Sequence, residues 1–121
     1  MTIPNAVTVK VGTGGKIRVF NNSGNANVII DVVGYFKAGT GDQYHPVAPQ
    51  RILDPRPCCQ LGPYSTPWGA ATTRSVQVSG HAGVPGWADA AVLNVTITDV
   101  SSPSGTFLTV FPGGSPPNTS S

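Results

Sequence analysis

Apolar side chains recur along this chain at every second residue, in short runs separated by glycine, proline and asparagine, and that period predicts strands rather than helices. The longest run is NVIIDVVGYF, residues 27–36, bounded by the polar SGNA before it and KAGTGD after it. Its nearly unbroken β-branched and aromatic content predicts a central strand buried on both faces. At ten residues it is too short to span a bilayer. Successive side chains of a strand point to opposite sides, so Val28, Ile30 and Val32 share one face and Ile29, Asp31 and Val33 the other. Asp31 thus falls among apolar neighbours, where a carboxylate needs a cation or several donors.

The rest of the chain is shorter runs. AVTVKV alternates with Val7, Val9 and Val11 on one face, GTGG turns it, and KIRVFN follows, so residues 6–21 predict a β-hairpin whose glycines supply positive φ. The segment YHPVAPQRILDPRP, 44–57, has three prolines before Arg56, which deny it a regular ladder. It predicts an irregular edge segment wrapped over the sheet, with Val47, Ile52 and Leu53 held in the core. Residues 58–73 predict a long loop carrying Tyr64 and Trp68 as exposed aromatics. RSVQVSG (74–80) alternates as a strand, HAGVPGWAD (81–89) is a loop, and AVLNVTITDV (91–100) and TFLTVFP (106–112) are strands joined by SSPSG. The tail 113–121 is poor in apolar residues and predicts a flexible or exchanged segment. AVTVKV-GTGG-KIRVFNNSG and AVLNVTITDV-SSPSG-TFLTVFPGG run in parallel as two copies of one predicted hairpin, an internal duplication that suits two sheets packed face to face. The expectation is one all-β module over residues 1–121, an antiparallel sandwich of jelly-roll or immunoglobulin-like kind, with a barrel as second choice.

Composition narrows the function classes. The 121 residues suffice for one core, and 15 glycines and 12 prolines fall between apolar runs as punctuation. Charged residues are 10% of the chain and glutamate is absent, so no amphipathic helix can be drawn. A net charge of +2, from basic residues dispersed along the chain, argues against a nucleic-acid track. The N-terminus MTIPNAVTVKVG has neither a basic nor an apolar leader region, so an export signal would lie outside this chain.

Several phrases together resemble a known family. YHPVAPQRILDPRP, RSVQVSGHAGVP, AAVLNVTITDVSSPSGTFLTVFPGG, NAVTVKVGTGGKIRVFNNSG and NVIIDVVGYF look like the tandem repeat of large secreted or surface-exposed proteins of actinobacteria and related bacteria. The family pattern opens a unit with F-x-P-L-x-P-x-R-L-L-D-T-R and closes it with D-V-V-G-Y-F. Arg51, Asp54 and Arg56 fall on the opening phrase, with Pro55 in place of threonine, and Asp31 to Phe36 match the closing phrase. The order is circularly shifted, since the closing phrase here precedes the opening one: residues 1–36 are like a second half and 44–121 like a first half. The resemblance implies an accessory module, extracellular or at the cell surface, without a defined activity. The shifted order leads us to expect either closure in one chain with adjacent termini or exchange of halves between copies into an oligomer or fibre.

Candidate chemistry follows from the same residues. Arg51, Asp54 and Arg56 are close enough in sequence to form a local ion-pair clamp, and either arginine is placed to neutralise Asp31. Cys58 and Cys59 are adjacent, which is not zinc spacing, and leaves free thiols, a vicinal disulfide or disulfides to a second chain as readings. His45 and His81 stand in loop-like contexts with no nucleophile-elbow sequence, so no catalytic residue, metal site or cofactor is expected. Tyr64, Trp68 and Trp87 are the candidates for stacking on sugar rings, against the commoner fate of Trp87 and Tyr35 as core or interface aromatics. Asn21, Asn94 and Asn118 each open an N-x-S/T sequon, to which no role is given. The expected function is a non-catalytic structural module that associates with itself, and the alternative is a carbohydrate-binding module. The expected partners are further copies of the chain or a cell-surface glycan, with neither nucleic acid nor membrane insertion.

Overall fold

Each alternating run becomes a strand, and the strands gather into two antiparallel sheets. A computed structural model describes residues 3–37, 43–102 and 105–114. The strands are β1 (Ile3–Lys10), β2 (Lys16–Asn21), β3 (Asn27–Lys37), β4 (Gln43–Leu53), β5 (Thr72–Gln77), β6 (Ala88–Thr98) and β7 (Leu108–Pro112). One sheet has the order β1-β6-β3-β4 and the other β5-β2-β7; they face each other without closing into a barrel. Pairs β3·β4, β2·β5 and β1·β6 nest inside one another, as when a long antiparallel ribbon is rolled up. That is the jelly-roll arrangement rather than the immunoglobulin-like one. The added strand β7 lies beside β2.

The nesting corrects the hairpin expectation. β1 pairs with β6 and β2 with β5 and β7, so residues 6–21 form no hairpin; the chain crosses from one sheet to the other between Lys10 and Lys16. The second expected hairpin is likewise a crossing, between β6 and β7. Both strands of each pair have an apolar face of their own, and placing them in opposite sheets turns both faces to one core. The two similar segments lie against each other, β1 on β6 and β2 on β7. At one corner the backbones touch: Gly113 N–H donates to Lys16 O (2.8 Å) and Thr13 N–H to Gly113 O (2.9 Å). A Cβ on Gly12 would collide with the Gly113 backbone, so this corner requires a residue without one.

β3 lies between β6 and β4, and its first half is closed on both faces: Val28, Ile30 and Val32 are in the core, and Ile29 is buried on the other side. A bulge between Val32 and Gly34 shifts the register against both neighbours. The extra residue resets the alternation, and Tyr35 packs on the core cluster. β4 is a strand of 11 residues, not an irregular wrap. Its prolines are accommodated because it is an edge strand whose outer N–H groups need no partner, and the interruption they cause is confined to register shifts opposite Ile30/Asp31 and Val32/Gly34. The long segment 54–71 then closes the side of the sandwich between edges β4 and β5.

The two described ends of the chain are not adjacent. Ile3 pairs with Ile97 at one end of β1, whereas Gly113 bonds to Lys16 beyond the other end. At about 3.3 Å per residue this separates them by roughly 30 Å. Residues 115–121, on which most of the expected exchanged tail falls, lie outside the described residues.

Candidate functional site

Among the described residues no segment covers the side of the sandwich between β1 and β7. Among the described residues neither strand has a partner on its outer edge. Between them runs a groove of about 260 Å³, lined by Val7, Val95, Ile97, Leu108 and Val110, with Asn5, Thr106 and Phe107 at its margins. Among the described residues no charged side chain lines it, and Phe107 is 55% exposed. A buried amide positions that phenylalanine. Asn21, fully enclosed, donates from Nδ2 to Gly24 O (2.9 Å), Trp68 O (3.1 Å) and Gly69 O (3.1 Å), and its Oδ1 accepts from Thr106 Oγ1 (2.7 Å). Ser23 N–H donates to Thr106 Oγ1 and Asn22 N–H to Phe107 O, so the chain entering β7 is pinned to the end of β2. Sequence reasoning missed this hub because Asn21 read as a sequon in a polar turn; its one signal is an asparagine ending an alternating strand.

The opposite side is closed by the residues expected to bind ligand. Trp68 is 0% exposed, not solvent-facing. Its Nε1–H donates to Val19 O (3.0 Å), and its backbone makes a two-bond bridge with Ala26 (2.7 and 3.0 Å). Tyr64 is half-buried, its hydroxyl donating to Ser75 O (2.7 Å). The guanidinium of Arg74 lies 4.8 Å from the Tyr64 ring centre and 4.7 Å from that of Trp68, and donates to Thr66 O, Thr66 Oγ1 and Pro67 O. These two aromatics therefore enclose a cation of their own chain and hold a loop down; they form no platform with Trp87.

Below this loop lies the ion-pair cluster. Arg51 Nε donates to Asp31 Oδ1 (2.9 Å), and Arg56 donates to both oxygens of Asp54 (2.9 and 2.8 Å). Arg51 Nη1 reaches Asp54 at 3.4 Å and joins the two pairs. Asp54 is 0% exposed and also accepts from Arg56 N–H (3.1 Å). Hydrogen bonding from Arg56, against the cost of burial, holds its carboxyl below the usual aspartate range. Backbone bonds between Asp54 and Leu61 close a small loop whose exposed turn carries Cys58 and Cys59, joined as a disulfide between neighbours. Of the three cysteine readings, this is the one the structure holds.

Trp87 stands apart, 54% exposed, where β3 ends and β6 begins. A turn closed by Ala88 N–H to Pro85 O (3.1 Å) carries it. Tyr35 meets the indole at 72° (centroids 5.8 Å), His45 stacks on Tyr35 (5.0 Å, 17°), and the Lys37 ammonium lies 5.5 Å from the indole centre. His81 is exposed in its loop. Among the described residues no three His, Cys, Asp or Glu side chains group as a metal site.

Comparison of the chain with protein-family models, curated proteins and solved structures returns no match.

Proposed function

We propose that this chain is a non-catalytic, extracellular structural module that associates with further copies of itself through its β1/β7 side. The groove carries the reading: two strand edges that have no partner among the described residues flank an apolar channel with no charged described residue in its lining and an exposed phenylalanine beside it. Free edges are templates for another strand. A second copy brings the same pair of edges and the same apolar lining, so the surface complements itself about a two-fold axis. The absence of charge in the lining disfavours a partner chosen by ion pairs. The far edge supports the assignment by contrast, since β4 carries Pro46 and Pro49 and is blunted against pairing.

Light scattering of the purified chain across a range of concentrations, with and without reductant, tests the proposal. The expected result is an assembly that survives reductant and that Phe107→Asp reduces to monomers. A wild-type chain that stays monomeric throughout would overturn it. An assembly that dissociates only in reductant would also overturn it, and would place the joints at Cys58 and Cys59.

A further inference from the structure

We infer that Trp87 is the floor of a second, independent site, which takes a single acidic sugar ring of a carboxylated glycan. The indole is the only tryptophan exposed among the described residues, and it sits on a short hydrogen-bonded turn with Tyr35 set across it, contacts that restrict its orientation. A rigid, solvent-facing ring of this kind offers an apolar face to the C–H face of a pyranose at little entropic cost. The cation beside it selects the class. Lys37 is exposed and its ammonium rests against the indole; among the described residues no carboxylate pairs with it. A neutral sugar stacking on this ring displaces the ammonium and offers it no counter-charge, whereas a uronate replaces the lost cation–π contact with an ion pair. His45 lies behind Tyr35 with Nε2 buried and unpartnered, a polar atom whose environment changes if the aromatic stack shifts. Trp87 and Phe107 lie at opposite ends of β3, so this site does not depend on self-association through the groove.

The two tryptophans make the test internal. In a proton–nitrogen spectrum of the full chain carrying Phe107→Asp, the indole N–H of Trp68 is sealed against Val19 O and that of Trp87 is not. The chain is titrated with a glucuronate-containing tetrasaccharide and, separately, with a neutral gluco-tetrasaccharide. The expected result is a saturable shift of the Trp87 signal alone with the acidic sugar, absent in Trp87→Ala. In Lys37→Gln the acidic sugar should bind about fivefold more weakly, the size of a solvent-exposed ion pair, with the neutral sugar unchanged. No saturable shift with either sugar up to roughly ten millimolar would overturn the site. Shifts of both indoles would overturn a local site, and equal binding of the two sugars would overturn the acidic class. Lys37 is exposed, so its variant stays informative if Trp87→Ala fails to fold.

Discussion

The two long sides of this sandwich treat the same problem in opposite ways. Each side ends in one edge strand from each sheet: β4 and β5 on one, β1 and β7 on the other. On the β4/β5 side the connecting segment folds back as a cover. Trp68 enters the core, Arg74 clamps the loop between two aromatic rings, and Asp54 is enclosed with two arginines. On the β1/β7 side no described segment crosses, and apolar residues line an open groove. Buried contacts are concentrated where the side is sealed, and the surface proposed for association lies where it is not. The polar Asn21 hub touches both, bonding Trp68 O on the sealed side and Thr106 at the mouth of the groove.

That contrast can be broken from the sealed side first. Trp68→Ala removes a fully buried ring and its bond to Val19, and should lower stability by about 3–5 kcal/mol in urea denaturation. The oligomeric state of whatever remains folded should be unaffected. A loss below about 1 kcal/mol would mean the loop is not a load on the core.

Asp54→Asn should cost about 2 kcal/mol, less than a pair buried on both sides, because Arg51 and Arg56 reach water when the carboxylate is gone. The same residue sets a pH dependence. The pKa of its carboxyl is depressed in the folded state, so it contributes stability above the ordinary aspartate value of about 4, and that contribution is lost as pH falls through the lower folded value. Urea midpoints measured from neutral pH downward should decline in the wild type and decline less in Asp54→Asn. Parallel curves would show that the clamp does not couple to protons.

Phe107→Asp is the mirror of the tryptophan change. The ring is more than half exposed, so the unfolding free energy of the single chain from urea denaturation should change by no more than about 0.5 kcal/mol while the proposed association is lost. If stability falls as far as in Trp68→Ala, the groove is part of the core and the two sides are not distinct.

Much of the fold is legible in the chain. Alternation in AVTVKV, KIRVFN and AVLNVTITDV marks strands, and these segments are β1, β2 and β6 within a few residues of the expected ends. The run NVIIDVVGYF marks the central strand, and the carboxylate of Asp31 within it meets Arg51. What local pattern does not carry is partnership. AVTVKV-GTGG-KIRVFN has the alternation and the glycines of a hairpin, yet its strands lie in different sheets. Trp68 has the loop context of an exposed aromatic, yet its indole bonds to a strand 49 positions away. Pro46 and Pro49 argue against a strand, yet β4 is one, because an edge needs only one of its two rows of backbone groups.

By itself, then, the amino-acid sequence determined every strand but β4, the face that each of these buries, and the all-β class, because side-chain alternation is a property of a few consecutive residues. Only the tertiary structure decided which strands pair, which aromatics are sealed and which side stays open. Those outcomes turn on contacts between segments tens of residues apart, where several pairings satisfy the same alternation and the burial of the whole core selects among them.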